Sequence, residues 1–375
     1  MDPSQPFPLA PPLRVDPAAI ERGLEQFWAS ADQAPALGGA GSVVRSCTLN
    51  FAVVLAGDDQ PAHVADAIAS ITLRHPCRIF LLSAQPQQAA DSLQTFVSVL
   101  CHLPAPGQPH ICCEQITIEA QGRAVEGLAH LLLALLVPDL PLVVWWRGRP
   151  PLVTPLFSAL NTIADRVVVD TLELGTDAAD LARVAALVEG DRPLALADLA
   201  WNRLTPWRTL TAQCFDTPRQ QVYLTALDRV RVEVAGGAVT SEALLWLGWL
   251  ASRLAWTPTS AEADGPRSRY TFDAGRPVRA EIGCTGAGEG AGLCAIELAA
   301  SGASGIRCVV TECAERAVRA SVETDDAPRR ERIVPLARRD PAALLNDELD
   351  IAGHDRVYGA ALRMASRLAA LPRRE

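Results

Sequence analysis

The sequence predicts an α/β fold with a mainly parallel, doubly wound sheet in its N-terminal half. It also predicts an α+β C-terminal domain built on an antiparallel meander with flanking helices. Between residues 47 and 195, apolar runs of strand length alternate with helix-like segments, as in parallel sheets with crossover helices. Between residues 270 and 336, short segments alternate apolar and polar residues and are separated by turns, which is typical of antiparallel strands.

Composition divides the chain into four predicted segments. Residues 1–15 are rich in proline and are predicted to form a disordered tail. An α/β domain is predicted over residues 16–195, followed by a tryptophan-rich linker over 196–218. Residues 219–375 are predicted to form the α+β domain with the antiparallel sheet.

The α/β domain is predicted to begin with a helix over residues 16–30, because Asp16 is a suitable N-cap and Pro17 fits the first turn. Strands and helices then alternate along the chain. The predicted strands span 48–57, 77–84, 110–120, 141–148 and 165–171, and the predicted helices span 61–76, 122–138, 151–164 and 177–190. Residues 85–109 follow neither period and are predicted to be an irregular connection.

The C-terminal elements follow from the same two periods. Residues 221–236 predict one or two strands, and residues 241–256 predict a tryptophan-rich helix. The predicted meander strands span 293–300, 306–313, 317–325 and 331–337. The glycine-rich run 283–292 predicts a hairpin loop, and a final helix is predicted from Pro341 with a break near residues 352 and 353.

The run VPDLPLVVWWRGRPP, residues 137–151, places two tryptophans next to each other at the end of an apolar strand. Successive side chains of a strand point to opposite faces, so Trp145 and Trp146 are both buried only if the sheet is covered on both sides. Arg147 and Arg149 follow at the carboxyl end of this strand, the edge where open α/β sheets usually bind ligands. These four residues form the first Trp–Arg cluster.

A second Trp–Arg cluster lies in DLAWNRLTPWR, within the predicted linker, and consists of Trp201, Arg203, Trp207 and Arg208. Tryptophan and arginine are enriched at the buried centres of protein interfaces. The alternative is that the tryptophans stabilise a domain boundary while the arginines pair with nearby carboxylates. All eight residues of the two clusters are therefore candidates for binding a partner protein.

Composition excludes several classes of function. The net charge of -9 and the pI near 5.3 argue against a nucleic-acid partner, because DNA-binding surfaces are usually basic. All 34 basic residues are arginine, so a Schiff-base lysine and a phosphate-binding GK[ST] loop are absent.

Residues 128–146 are long enough for a membrane span, but Pro138, Asp139 and Pro141 interrupt them. With no recognisable secretion signal, the expected location is the cytoplasm, without a membrane partner.

No motif nominates a catalytic residue, a metal ligand or a cofactor. The run GCTGAGEGAG lacks the GxGxxG spacing of a dinucleotide site, and the six histidines show no HExxH pair. No GxSxG sequence is present. The ten cysteines include no CxxC pair, and we expect them to be reduced thiols. Cys214 and Cys284 are predicted to be the more exposed thiols, and are the redox candidates.

Two quoted segments resemble a known family. PDLPLVVWWRG followed by DLAWNRLTPWR, with a strand ending RVVVDT between them, is similar to the glucose-6-phosphate dehydrogenase assembly proteins of the OpcA family. The early helix AAIERGLEQFW, the strand HPCRIFLL and the helix LLWLGWLASRLAW extend the resemblance, which covers about residues 16 to 370. It is specific over the first 256 residues and weaker through the meander.

The resemblance implies a non-catalytic partner of glucose-6-phosphate dehydrogenase, without a cofactor of its own. Such a protein would promote assembly or allosteric activation of the dehydrogenase in the oxidative pentose phosphate pathway. A second hypothesis is a phosphate-sugar-binding protein or enzyme that uses Arg147 and Arg149 at the carboxyl edge of the parallel sheet. A third is a purely structural oligomer.

Overall fold

The computed structural model divides into two compact units, each built from segments that are not contiguous in sequence. It describes residues 5–30, 42–56, 59–105, 108–189, 194–286, 292–301, 305–313, 317–325, 327–335, 340–351 and 353–374. The first unit comprises residues 1–170, 194–197 and 340–354, and the second comprises 171–193, 198–339 and 355–375. The predicted domains are contiguous in sequence, whereas these units are interleaved.

The first unit contains a ten-stranded sheet that combines antiparallel and parallel strands. Its strands are β1 (Phe7–Pro8), β2 (Leu13–Val15), β3 (Val43–Arg45), β4 (Leu49–Ala56), β5 (Cys77–Gln85), β6 (Ser92–His102), β7 (His110–Gln121), β8 (Leu142–Arg147), β9 (Arg166–Val169) and β10 (Ala195–Asp198). Their order is β1-β6-β7-β5-β4-β8-β9-β10, with β2 on β6 and β3 on β7. The pairs β7–β5, β5–β4, β4–β8 and β8–β9 are parallel. The prediction of a mainly parallel N-terminal sheet is confirmed.

The strands at the centre of this sheet are apolar on both faces. Phe51 and Ala52, which point to opposite sides of β4, are each fully buried. Helices of the first unit are α1 (Ile20–Ser30), α2 (Ala65–Arg74), α3 (Leu128–Leu135), α4 (Pro155–Ile163) and α10 (Pro341–Leu349). Short 3-10 turns at Pro17–Ala19, Pro61–Val64 and Gly122–Gly127 lead into α1, α2 and α3.

The late segment 340–354 is fixed to the first unit by polar contacts. Asn346 Nδ2 on α10 donates to Ser70 Oγ on α2 over 3.1 Å. Arg166, at the start of β9, pairs with Glu348 at 2.9 Å, and both side chains are buried. These contacts join residues more than 180 positions apart, which no local sequence pattern encodes.

Two expectations for the first unit are wrong. Of the supposed disordered tail, residues 1–4 lie outside the described residues, and residues 5–15 contain β1 and β2, which both pair with β6. Between these strands, Leu9 is buried and its backbone N–H donates to the carbonyl of Val99. The supposed irregular connection contains β6, which pairs antiparallel with β7 from Ser92 to His102. Polar residues within β6 and the flanking prolines and glutamines mask the strand in the sequence.

The second unit contains a nine-stranded, mainly antiparallel sheet. Its strands are β11 (Arg229–Ala235), β12 (Thr257–Asp264), β13 (Arg267–Asp273), β14 (Pro277–Cys284), β15 (Gly292–Ala300), β16 (Ile306–Cys313), β17 (Ala317–Thr324), β18 (Ala327–Pro335) and β19 (Arg373–Arg374). Their order is β18-β17-β16-β15-β11-β14-β13-β12-β19, and only the described pairs β11–β14 and β12–β19 are parallel. The antiparallel C-terminal sheet is therefore confirmed. It begins with β11 at Arg229, and its consecutive strands start again at Thr257, earlier than the predicted start of the meander at residue 270.

One face of this sheet is apolar and the other is polar. The second unit also has the helices α5 (Ala178–Leu187), α6 (Leu199–Arg203), α7 (Thr205–Gln213), α8 (Pro218–Gln221), α9 (Ser241–Arg253) and α11 (Arg356–Ala370), with 3-10 turns at Thr171–Leu174 and Leu224–Ala226. We call the buried face, which includes Val230, Val232 and Val234, the inner face. The alternating residues Arg229, Arg231 and Glu233 lie on the opposite, outer face.

The predicted linker 196–218 is part of a folded core. It contains the end of β10 and the helices α6 and α7, in which Trp201 and Trp207 are each 4% exposed. Short helices hide their period in a sequence, which explains why this segment follows neither pattern.

Three further expectations concern the break in the last helix, the glycine loop and a membrane span. Helices α10 and α11 are separate, which agrees with a break near residue 353, while residue 352 lies outside the described residues. Half of the predicted glycine loop 283–292, residues 287–291, also lies outside them. In the described part of the chain, no helix has both the length and the apolar character needed to cross a bilayer.

Candidate functional site

The tryptophans of the first cluster are part of the core of the first sheet. Trp145 is 2% exposed and Trp146 is 1% exposed, on opposite faces of β8. The ring of Trp146 packs against Phe157 of α4 with centroids 5.0 Å apart. The expectation that this strand is buried on both faces is confirmed, and neither ring is available to a partner in this conformation.

The arginines of the first cluster lie at the carboxyl end of β8. Arg147 pairs with Asp59 through Nε and Oδ2 at 3.1 Å, and its guanidinium lies 5.9 Å from the centre of the Trp145 ring. Gly148 has φ of 72°, a conformation that favours glycine, and turns the chain so that Arg149 is exposed. Arg149 is therefore the most accessible residue of the first cluster.

The second cluster is positioned by a buried carboxylate. Asp198 is fully buried and caps α6 by accepting from the backbone N–H of Ala200 at 3.0 Å. It also accepts from the backbone N–H and the hydroxyl of Thr171, and from the hydroxyl of Tyr358 at 3.0 Å. Four donors satisfy this carboxylate, so it fixes the start of α6 rigidly.

Trp201 is held from both its ring nitrogen and its ring face. Its Nε1 donates to Asp355 Oδ2 at 2.8 Å. The guanidinium of Arg208 stacks 3.4 Å from the ring centre and donates to the Trp201 carbonyl and to the Thr205 hydroxyl. This cation–π contact is intramolecular, so the Arg208 guanidinium and the Trp201 ring are already partners of each other within the chain.

Arg203 and Trp207 complete the second cluster. Arg203 donates from Nε to Glu242 Oε1 at 2.6 Å, and the Glu242 side chain is 5% exposed. Trp207 is buried on α7. Arg203 thus neutralises a buried carboxylate, which matches the alternative in which the arginines of the cluster pair locally. Whether any residue of the two clusters binds a partner stays a prediction.

The cysteines differ from expectation. The expected reduced state of all ten is wrong for four of them, which form the disulfides Cys101–Cys112 and Cys214–Cys308. Cys101 and Cys112 face each other on the paired strands β6 and β7, a proximity that needs the unrecognised β6. Cys214 is 1% exposed, so the expectation that it is accessible is also wrong.

Cys284 is a free, half-buried thiol at the end of β14. Burial, together with the carboxylate of Glu233, raises the pKa of the Cys284 thiol. A raised pKa lowers the fraction of the reactive thiolate at neutral pH. Cys284 therefore remains a redox candidate, with a smaller thiolate fraction at neutral pH than an ordinary thiol.

The outer face of the second sheet is a charged surface that none of the sequence motifs indicates. Glu281 on β14 accepts from Arg267 at 2.8 Å and from Arg269 at 3.3 Å. Arg231 lies opposite both Glu281 and Glu297 in the strand register. This surface forms an open cavity of 1010 Å³. The alternation in RVRVEVA and RSRYTF is the signal that places these charges on one face.

A metal site is not evident in the part of the chain that the structure describes. No group of three or more His, Cys, Asp or Glu side chains there has the proximity needed to hold an ion. The polar clusters of both units instead consist of ion pairs and capped helix ends.

Comparison with known proteins gives matches to family models and to curated relatives. Residues 68–186 match the model described as the glucose-6-phosphate dehydrogenase subunit N-terminal domain, and residues 194–362 match the corresponding C-terminal domain model. OxPP cycle protein OpcA from Nostoc punctiforme is 37% identical over 226 residues, 58% of this chain and 47% of that protein. The protein of the same name from Synechocystis sp. is 36% identical over 204 residues, 54% of this chain and 42% of that protein. The chain thus matches less than half the length of these relatives.

Similarity to solved structures is weaker than similarity to these relatives. An oxidoreductase from Sinorhizobium meliloti superposes with a TM-score of 0.47 and 14% identity, covering 86% of this chain and 89% of that chain. A likeness at this level carries no argument about function. The two family models, by contrast, follow each other in order and together match well over half of the sequence. The chain therefore belongs to the OpcA family of glucose-6-phosphate dehydrogenase assembly proteins.

Proposed function

We propose that this chain is a non-catalytic accessory protein that binds glucose-6-phosphate dehydrogenase in the cytoplasm. Its effect is to promote assembly or allosteric activation of the dehydrogenase in the oxidative pentose phosphate pathway. The observation that supports this most is the consecutive match to two domain models described as dehydrogenase subunit domains. The matching relatives carry the name of an OxPP cycle protein, which supports the same pathway.

The positions of the two Trp–Arg clusters narrow the choice of docking residues. Trp145, Trp146, Trp201 and Trp207 are all buried, so their large side chains support the fold rather than an interface. Arg149 is exposed, and the Arg147 side chain is 33% exposed. We therefore propose that a partner contacts the first cluster through these two arginines at the carboxyl end of β8.

Mixing the full chain with purified glucose-6-phosphate dehydrogenase tests the proposal. Sedimentation velocity should detect a species heavier than either protein, and the rate of NADP reduction should rise when the chain is added. Absence of a heavier species, with an unchanged rate at micromolar concentrations of both proteins, would contradict the proposed function.

Single arginine variants locate the docking surface. Arg149→Ala should keep its melting temperature and weaken the complex, since an interface anchor contributes about 2 kcal/mol or more, roughly thirtyfold in affinity. Arg14→Ala is the matched control, because Arg14 is exposed on β2, which pairs with β6 toward the opposite edge of the same sheet. If both variants bind equally well, the docking surface lies elsewhere, and the outer face of the second sheet becomes the next surface to test.

Arg203→Ala and Arg208→Ala report on the fold more than on docking. Removal of Arg203 leaves Glu242 buried without this partner, which costs about 1–3 kcal/mol of unfolding free energy. Removal of Arg208 exposes one face of the Trp201 ring. A lower melting temperature is expected for both variants, so loss of dehydrogenase activation in either must be judged against that change.

A further inference from the structure

The second unit contains a cavity of 550 Å³ between the segment 217–223 and the strands β17 and β18. Its volume lies within the range of small-molecule sites. A smaller cavity of 50 Å³ shares four of its lining residues and extends toward Cys214. One wall comes from a short helix and the other from a sheet edge, so the site is built from two parts of the chain.

Two arginines face this cavity from opposite walls. Arg219 belongs to α8 and Arg330 to β18, and both are exposed. Within the described residues, neither guanidinium has an ion pair and the lining of the 550 Å³ cavity contains no carboxylate. The smaller cavity has one carboxylate, Asp216, which lies 3.8 Å from Arg332. The larger cavity is therefore locally positive on a chain whose net charge is -9. A polyanion such as nucleic acid is repelled by the whole chain, whereas a small anion responds to the local charge.

Arg330 occupies a position that is apolar on the neighbouring strands. It lies opposite Val322 in the register of β17 and β18, and Val322 in turn lies opposite Cys308 on β16. Both of those residues are buried on the inner face. Inward-pointing charges on an edge strand are a known protection against aggregation. That explanation accounts for Arg330 alone, and it does not explain a second arginine on the facing wall.

The other arginines of β18 behave differently. Arg329 pairs with Glu331 at 2.7 Å and with Glu323 at 3.3 Å, and Arg332 lies 3.8 Å from Asp216. Arg330 is thus distinguished from its neighbours by facing the cavity without a carboxylate. The rest of the lining combines polar side chains, among them Tyr223 and Thr324, with apolar ones, among them Val222 and Val322.

We propose that this cavity binds a small phosphorylated metabolite, with Arg219 and Arg330 holding the phosphate. Guanidinium groups match phosphate oxygens bidentately, which makes arginine suited to this ligand class. Tyr223 and Thr324 supply hydroxyls for the polar body of the ligand, and Val222 supplies an apolar side. This site is separate from the proposed binding of the dehydrogenase and does not depend on it.

Isothermal titration calorimetry on the full chain, without the dehydrogenase, tests the proposal. The probes are glucose 6-phosphate, inorganic phosphate and uncharged glucose. We expect glucose 6-phosphate to bind more tightly than inorganic phosphate, glucose not to bind, and affinity to fall as salt is added. Absence of binding by both phosphate probes at about 10 mM, well above typical metabolite affinities, would overturn the proposal.

Variants of β18 and α8 make the test specific. Arg219→Ala and Arg330→Ala should each weaken glucose 6-phosphate binding about tenfold or more, since each removes charge-assisted hydrogen bonds. Arg329→Ala is the matched control and should bind like the unaltered chain, because Arg329 is engaged with Glu323 and Glu331. Equal binding by all three variants, or an equal loss in Arg329→Ala, would overturn the assignment. Failure here leaves dehydrogenase binding untouched, because the two are measured separately.

Discussion

The two sheets of this protein differ in how many of their faces are buried. Consecutive residues of β4, β5 and β8 are buried, so the first sheet has no free face at its centre. In β11, β13 and β14 burial alternates, so the second sheet keeps one face for charged side chains. A substitution in the first sheet therefore tests the core, whereas a substitution on the outer face of the second sheet tests the surface.

The largest effect is expected for a tryptophan of the first sheet. Trp146→Ala should lower the unfolding free energy by about 3–5 kcal/mol, because it leaves a cavity beside Phe157 of α4. Urea unfolding followed by circular dichroism measures the change. Arg231→Ala on the outer face of β11 is the contrasting variant and should stay within about 0.5 kcal/mol of the unaltered chain. Similar losses in the two variants would remove the distinction between the sheets.

The disulfides should stabilise the two units to different extents. Cys214–Cys308 closes a separation of 94 residues and Cys101–Cys112 closes one of 11. A longer loop restricts the unfolded chain more, so reduction of Cys214–Cys308 should cost more within the usual range of about 2–4 kcal/mol. Unfolding in urea with and without reductant, using Cys308→Ala and Cys112→Ala, separates the two contributions.

Peptide mapping under non-reducing conditions must first identify both cross-links. Equal sensitivity of the two variants to reductant would contradict the expected order. Activation of the dehydrogenase, measured with and without oxidant and reductant, tests the redox candidates. If the degree of activation is unchanged by both, Cys214 and Cys284 have no regulatory role.

A smaller effect is expected where α9 and α11 meet in the second unit. A Cβ on Gly248 would lie 2.5 Å from the carbonyl oxygen of Ala361 and 2.9 Å from the backbone nitrogen of Ala365. Gly248→Ala should therefore cost about 1–3 kcal/mol by forcing the helices apart. Thermal unfolding measures this loss.

Gly359 on α11 provides the matched control. An added Cβ there would meet only Arg363 and Val188, at 3.6 and 3.9 Å, which is ordinary contact. Gly359→Ala should raise stability by roughly 0.4–1 kcal/mol through helix propensity. A stabilising effect of Gly248→Ala as well would show that the two helices are not closely packed.

The smallest effect is expected on the outer face of the second sheet. The hydrogen bond from Arg307 lowers the pKa of Glu297 from its usual value of 4.5. A carboxylate with a lowered folded-state pKa stabilises the protein above the unfolded-state pKa, and this contribution is lost as pH falls through the folded value. Because the pair is partly exposed, we expect about 0.2–1 kcal/mol.

Glu297→Gln should therefore destabilise the chain at about pH 6 and have a smaller effect near pH 3. Urea unfolding at both pH values measures the difference. Glu312→Gln is the control, since Glu312 is exposed on β16 and has no ion pair within the described residues. A pH-independent effect of Glu297→Gln would show that the interaction with Arg307 does not depend on charge.

The sequence predicted the sheets well because their periods are strong. The apolar run ending in Trp145 and Trp146 requires a sheet covered on both sides, and the strict alternation around Arg231 requires one open face. Strand β6 was missed because its polar residues and its flanking prolines obscure a period of two. The disulfide partners and the contacts of Arg203 were not predictable, because they depend on residues that meet only after folding.

The segment 340–354 sets an order for folding during synthesis. Arg166 leaves the ribosome long before Glu348, and at a typical rate of about 5–20 residues per second the delay is roughly 10–40 s. During this interval the first unit lacks α10, and the buried guanidinium of Arg166 has not yet met its carboxylate. A nascent chain stopped near residue 195 contains β1 to β9 but lacks β10 and α10. It is therefore an unfinished domain, and such a domain is a substrate for chaperones.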